Sequence, residues 1–238
     1  MKITTVLFDL DGTLLPMDQE SFIKAYLGHL AKFLAPHGYD PKALVDSIWA
    51  GTAAMVKNDG SITNEEAFWA KFISIFGAEA RKDEPLFQTF YETIFPQVQS
   101  ACGFDPRAAE VIADIRARGL NVALATNPIF PAIATSQRIR WAGLHPEDFR
   151  LYTTYENSRH CKPNLAYYRD VLDALGVPAE ACLMVGNDVG EDMIAEKLGM
   201  KVFLLKHSLI HRNMDYSTYP QGSFDDLLSY IDSLQKMD

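Results

Sequence analysis

The sequence predicts an α/β protein: a parallel sheet with helices on both faces, carrying an inserted all-helical segment. Three observations predict it. Short apolar runs of strand length recur along the chain. From about residue 101 onward they alternate with amphipathic helical patterns, which is the signature of βαβ units and a parallel sheet. Residues 16–100 break that alternation, holding only helical spacing.

The expected elements follow in order. Ile3–Leu10 reads as a buried strand. Four stretches beginning at Ser21, Pro41, Thr63 and Pro85 place apolar residues at helical spacing, with Gly, Pro, Asp and Asn between them. Their aromatic residues, Phe22, Tyr26, Phe33, Trp49, Phe68, Trp69, Phe72, Phe76, Phe90 and Tyr91, are expected mainly in a core, with a minority lining a pocket. A helix from Pro106, capped by Asp105 and stopped by Gly119, leads to a strand at Asn121–Thr126. Arg150–Thr154 is a weaker strand. A helix opening at Pro163 ends at Gly176, and strands follow at Leu183–Gly186 and Lys201–Leu205. Between those two strands "EDMIAEKLGM" predicts a short helix stopped by Gly199. Residues 207–222 show no period and read as a surface loop. "SFDDLLSYIDSL" predicts a closing helix capped by Ser223. The core is thus expected from 1–15 and 101–238, and a helical domain from 16–100.

Composition bounds the function. The 238 residues carry a formal net charge of −9, with 48% hydrophobic and 22% charged residues. No basic cluster suggests a nucleic-acid partner or an anionic membrane surface. No signal peptide and no apolar run of about 20 residues are visible, so a cytoplasmic setting is the expectation. Cys102, Cys161 and Cys182 are few and widely spaced, which suggests neither a disulfide framework nor a zinc site. His207 and His211 have the spacing of ligands on one helix face, but their segment is not convincingly helical and no metal is expected there. No GxxxxGK[ST] loop is present.

The chemistry collects at strand ends, where open parallel sheets deliver ligands. The first strand ends in Asp9-Leu10-Asp11-Gly12-Thr13. The second ends in Thr126 and Asn127. Lys162 precedes a helix, and a later strand ends in Gly186, Asn187 and Asp188, with Asp192 beyond. Two carboxylates at ~4 Å repel by about 4 kcal/mol at an effective dielectric of 20, so the first pair needs a neutralising partner. A carboxylate can be a nucleophile toward phosphorus, and Asp9 is the candidate. Mg²⁺, which prefers oxygen ligands and one or two carboxylates, would supply the missing positive charge. Lys162 suits phosphate and pairing with Asp9.

These four motifs, in this order, resemble those of the haloacid dehalogenase superfamily in its phosphatase branch. The resemblance implies a Rossmann-like core, with 16–100 as a first-type (C1) helical cap. It implies that Asp9 is the nucleophile and binds the metal, and that Asp11 gives its backbone carbonyl to Mg²⁺ while its side chain acts as general acid and base. It further implies that Thr126, Asn127 and Lys162 hold the phosphate and that Asp192 orients the lysine or the metal waters.

The fourth motif departs from the usual Gly-Asp. Charge favours Asp188 as metal ligand, with Asn187 the alternative. The expected activity is a Mg²⁺-dependent phosphatase acting on a small phosphorylated metabolite. A phosphomutase, a haloacid dehalogenase and a non-catalytic phospholigand sensor are the competing readings. The second aspartate, Asp11, argues against the dehalogenase.

Overall fold

A computed structural model describes residues 2–236. β1 (Thr5–Phe8), β2 (Asn121–Leu124), β3 (Cys182–Gly186), β4 (Lys201–Leu205) and β5 (Gln221–Gly222) form one sheet in the order β2-β1-β3-β4-β5. Every pairing is parallel. β1 is therefore internal, with Phe8 opposite Leu124 on one side and Val185 on the other. Its residues are buried on both faces, which explains a continuous apolar run rather than alternation. Leu7 faces one core with Tyr167, Tyr168 and Met193; Val6 and Phe8 face the other with Ile112, Ile115 and Leu227.

The helices are α1 (Gln19–Leu34), α2 (Pro41–Val56), α3 (Asn64–Phe76), α4 (Glu84–Thr93), α5 (Pro106–Ala117), α6 (Ala132–Trp141), α7 (Leu165–Leu175) and α8 (Phe224–Lys236). Between β1 and α5 the described elements are all helical. Their starts are written locally. Asp18 accepts from Ser21 N–H at 2.8 Å and Asp40 from Ala43 N–H at 2.8 Å, while Thr63 and Glu66 form a reciprocal capping box. Phe72 is buried at the centre of α3, among the rings of Tyr39, Phe68, Phe76 and Phe87.

Several elements differ from the sequence reading. α4 stops at Thr93, and Phe95–Ala101 continues as a 3-10 helix, because Pro96 lacks an N–H and its ring disfavours a continuous α-helix. Arg150–Thr154 is not a strand of the sheet. It runs along the outer edge of β2, joined by a Leu124–Tyr152 bridge and by Arg150 N–H to the Val122 carbonyl at 2.8 Å. Met193–Leu198 is a 3-10 helix, confined between a tethered Asp192 and Gly199 at φ 93°. α7 begins at Leu165 under an Asn164 cap, so Pro163 lies just outside it. Gln221–Gly222 is a short edge strand inside the stretch read as a loop. α6 was absent from the expected elements. No described helix is long and apolar enough to cross a membrane.

Truncating Phe72 to alanine should cost about 3–5 kcal/mol of unfolding free energy, through lost burial and a residual cavity. Ile75, on the same helix but 45% exposed, should change by less than about 0.5 kcal/mol when truncated. Urea denaturation of the two variants checks the contrast.

Candidate active site

The carboxyl ends of β1, β2 and β3 meet the loops that follow them at a cavity of about 220 Å³. Asp9, Asp11, Thr126, Asn127, Asn187, Asp188 and Asp192 all line it. Lys162 lies beside it, fully buried, with Nζ 2.9 Å from Asp9 Oδ1 and 2.7 Å from Asp192 Oδ1. The sheet thus brings the candidate site residues Asp9, Asp11, Thr126, Asn127, Lys162, Asn187, Asp188 and Asp192 to one place.

The turn after β1 is built by close approach. Gly12 has φ 85°, and a Cβ there would sit 2.5 Å from Asn187 Nδ2. Only glycine supplies both that conformation and that space without strain. Thr13, buried, donates from Oγ1 toward Asn187 Oδ1 at 2.8 Å and lies 3.2 Å from Asp9 Oδ2. This brings the Asp9 carboxylate and the Asn187 amide oxygen to the same hydroxyl. Gly186 plays a parallel part, since a Cβ on it would collide with Asp192 Oδ2 at 2.0 Å. That oxygen accepts from Asp188 N–H at 2.9 Å.

Electrostatics explain why the acids are tolerated. Burial alone would favour a neutral Lys162, but Asp192 and Asp9, with Tyr168 and Tyr167, outweigh it and hold the ammonium charged. Burial drives the Asp192 carboxyl upward, with Lys162 pulling against it. Burial also raises Asp11, opposed by Arg138 and reinforced by Asp9. α7 braces the site: Tyr167 donates to the Thr126 carbonyl at 2.9 Å and Tyr168 to the Glu191 carbonyl at 2.6 Å.

Three participants escaped the sequence reading. Arg138, on α6, is 1% exposed, pairs with Asp11 Oδ2 and lies over the Phe130 ring. An arginine in a helix of weak amphipathicity reads as solvated, so its burial has no local signal. Glu191 lines the cavity and accepts from Asn127 Nδ2 at 3.2 Å. Arg212 grips Asp188, with Nη1 2.7 Å from Oδ1 and 2.6 Å from Oδ2. It sits at φ 42°, followed by Asn213 at φ 63°. The segment carrying Arg212 is pinned across the turn after β3. Ile210 N–H donates to the Asn187 carbonyl and Val189 N–H to the Ile210 carbonyl. Asn187 Nδ2 reaches the Ser208 carbonyl, and His207 Nε2 lies 2.9 Å from the Thr13 carbonyl oxygen.

The side-chain oxygens a metal could draw on here are hard ones: the Asp9 carboxylate, the Asn187 amide and the Asp188 carboxylate, the last already paired with Arg212. That chemistry fits Mg²⁺. Among the described residues no three His, Cys, Asp or Glu side chains converge into a metal cluster of their own. Mg²⁺ held by two carboxylates, a carbonyl and waters needs no such trio. Two buried oxygens, Asp11 Oδ1 and Asn127 Oδ1, have no hydrogen-bond partner, and both residues line the cavity.

A family model described as haloacid dehalogenase-like hydrolase matches residues 3–197. Glyceraldehyde 3-phosphate phosphatase of Methanocaldococcus jannaschii is 28% identical over 134 residues, which is 55% of this chain and 58% of that protein. The chain thus spans under two thirds of the length of this curated relative. The fold is shared with 2-haloacid dehalogenase from Pseudomonas syringae pv. Tomato, at TM-score 0.63 and 18% identity over 97% of this chain and 98% of that one. It is also shared with an enzyme of the family from Bacteroides thetaiotaomicron, solved in complex with magnesium and inorganic phosphate. That likeness has TM-score 0.53 and 16% identity, over 90% and 98% of the respective chains.

The Arg138–Asp11 pair should be measurable. Arg138→Met should lower unfolding free energy by about 1–3 kcal/mol, since it strands a carboxylate in a largely buried setting. In a double-mutant cycle with Asp11→Asn, urea denaturation should return a coupling of about 1 kcal/mol or more. Additive losses would show that the pair contributes nothing.

Proposed function

The chain belongs to the haloacid dehalogenase-like hydrolases, and from that premise we propose that it is a Mg²⁺-dependent phosphatase of small phosphorylated metabolites. The observation that carries this reading is the grouping of Asp9, Asp11, Thr126 and Asn127 on one cavity, with the Lys162 ammonium bonded to Asp9. The relative named as a phosphatase and the neighbour holding magnesium and phosphate support it. The proposed setting is the cytoplasm, and the proposed partner is a small phosphorylated substrate rather than nucleic acid or membrane.

Each residue has a task in this reaction. Asp9 attacks phosphorus through a carboxylate oxygen and becomes an aspartyl-phosphate. Lys162, already bonded to Asp9 Oδ1, orients the carboxylate and faces the phosphoryl charge. Thr126 and Asn127 hold the phosphoryl oxygens. Asp11 protonates the departing oxygen, then takes a proton from the water that hydrolyses the acyl phosphate. Its raised affinity for protons, caused by burial, suits a group that must donate one. Asp192 fixes Lys162, and residues 16–100 act as the cap that excludes water and sets the choice of leaving group. Mg²⁺, when bound by Asp9, the Asp11 carbonyl and Asp188 or Asn187, would neutralise charge on the attacking and transferred oxygens.

Purified protein should hydrolyse aryl phosphates with Mg²⁺ and stop when a chelator is added, and Asp9→Asn should abolish turnover. Phosphoryl return to the substrate would identify a mutase, and metal-free release of halide from a haloacid would identify a dehalogenase. Phosphate binding without turnover would identify a sensor. Glyceraldehyde 3-phosphate, in the relative's name, belongs in the same assay as a comparison. Mg²⁺ at a hundredfold excess over its Kd should also stabilise the fold by about 2.7 kcal/mol, visible as a raised Tm.

Position 188 carries the proposed carboxylate ligand, but Arg212 already neutralises it. Asp188→Ala should therefore raise the Mg²⁺ concentration needed for half-maximal thermal stabilisation more than Asn187→Ala does. Arg212→Ala should lower it, because a competing cation is gone. The opposite order for the first two variants would transfer the ligand role to the Asn187 amide.

A further inference from the structure

The cavity above Asp9 has two unlike walls. The floor at the strand ends is acidic, made of Asp9, Asp11, Asp188, Glu191 and Asp192. The opposite wall comes from α1, α2 and the segment after β2, and is apolar: Phe22, Ile23, Leu27, Ile48, Trp49 and Phe130. No Lys, Arg or His among the described residues lines it. Gln19, Tyr26 and Thr52 offer neutral polar groups away from the strand ends, where Thr126, Asn127 and Asn187 lie. A separate, smaller hollow of about 50 Å³, walled by Phe68, Trp69 and Phe87, shares Ile48, Tyr26 and Phe130 with this wall. Trp49 is 49% exposed.

We propose that the leaving group this site accepts is an uncharged, largely apolar alcohol or phenol. Its phosphate would meet Asp9, and its carbon skeleton would run along α1 and α2 beneath Trp49. The proposal rests on the phosphatase reading and narrows its substrate class. The argument is one of charge and surface. A leaving group bearing a carboxylate or second phosphate would place that anion beside five acids. The neighbouring cations Lys162, Arg138 and Arg212 are already paired with Asp9 and Asp192, with Asp11 and with Asp188, so it would find no free cationic partner. A bound metal and Lys162 are committed to the phosphoryl end. A polyhydroxylated sugar would find few polar partners, whereas an alkyl or aryl group would replace water along a wall already suited to it.

The test is steady-state kinetics with Mg²⁺ on methyl, butyl and hexyl phosphate, phenyl and 1-naphthyl phosphate, phosphoglycolate and 3-phosphoglycerate. The expected result is a kcat/KM that climbs about three- to fourfold per added methylene, with both carboxylate-bearing esters at least tenfold below butyl phosphate. Trp49→Ala, at a half-exposed position, should flatten the hexyl-to-methyl ratio. Ile23→Lys, which places a cation on the partly exposed wall, should raise phosphoglycolate relative to butyl phosphate. A flat alkyl series, or phosphoglycolate or 3-phosphoglycerate as the best substrate, overturns the apolar assignment while leaving the phosphatase reading intact. Folded protein that releases phosphate from none of these esters overturns the phosphatase reading, and this inference falls with it.

Discussion

The buried ammonium of Lys162 is the contact on which the arrangement at the strand ends depends. Asp9 leaves β1 and Asp192 follows β3, and both carboxylates reach the same nitrogen. Without it, two buried carboxylates would stand unpaired at the edge of a sheet whose interior is mostly apolar. With it, the Asp9 carboxylate is held in place while remaining almost wholly buried. The rest of the site reads as support for that contact. Tyr167 and Tyr168 flank the lysine, Gly186 gives Asp192 room to turn inward, and Gly12 lets the first loop close against Asn187.

A second cation holds the other half. Arg138 does for Asp11 what Lys162 does for Asp9, but from α6 and at the border with the helical segment, against Phe22 and Phe130. The two acids of the first motif are thus neutralised separately, one from each side of the cavity. A guanidinium presents several donors and keeps its charge at all relevant pH. It can therefore steady a carboxylate without accepting its proton.

Much of this was legible in the sequence because it is local. Val6, Leu7 and Phe8 announce a doubly buried strand. Asp105-Pro106 announces a helix start, Asp9 and Thr126 fall just past strand ends, and Lys162 stands before a helix with Asp192 beyond the third strand. What stayed hidden depends on distant partners. Arg138 looks like any surface arginine of a weakly amphipathic helix until Asp11 is folded onto it. Arg212 lies in a stretch without period, and only its pairing with Asp188 gives it meaning. β5 is two residues long, too short to leave a pattern. The 3-10 helix after Asp192 carries helix-forming residues, but the tether to Lys162 and the turn at Gly199 leave no length for an α-helix.

The placement of β1 has a consequence for how the chain is made. It is the first strand in the chain, yet it is internal, and its neighbours begin only at Asn121 and Cys182. At roughly 5–20 residues per second of synthesis, β1 waits many seconds on the ribosome before its second edge is covered. During that time an apolar strand with free N–H and C=O groups is a template for wrong pairing. The helices from Gln19 to Thr93 emerge next and are dominated by near-neighbour contacts, which form fast. They can therefore form before either of the strands that pair with β1 has been made.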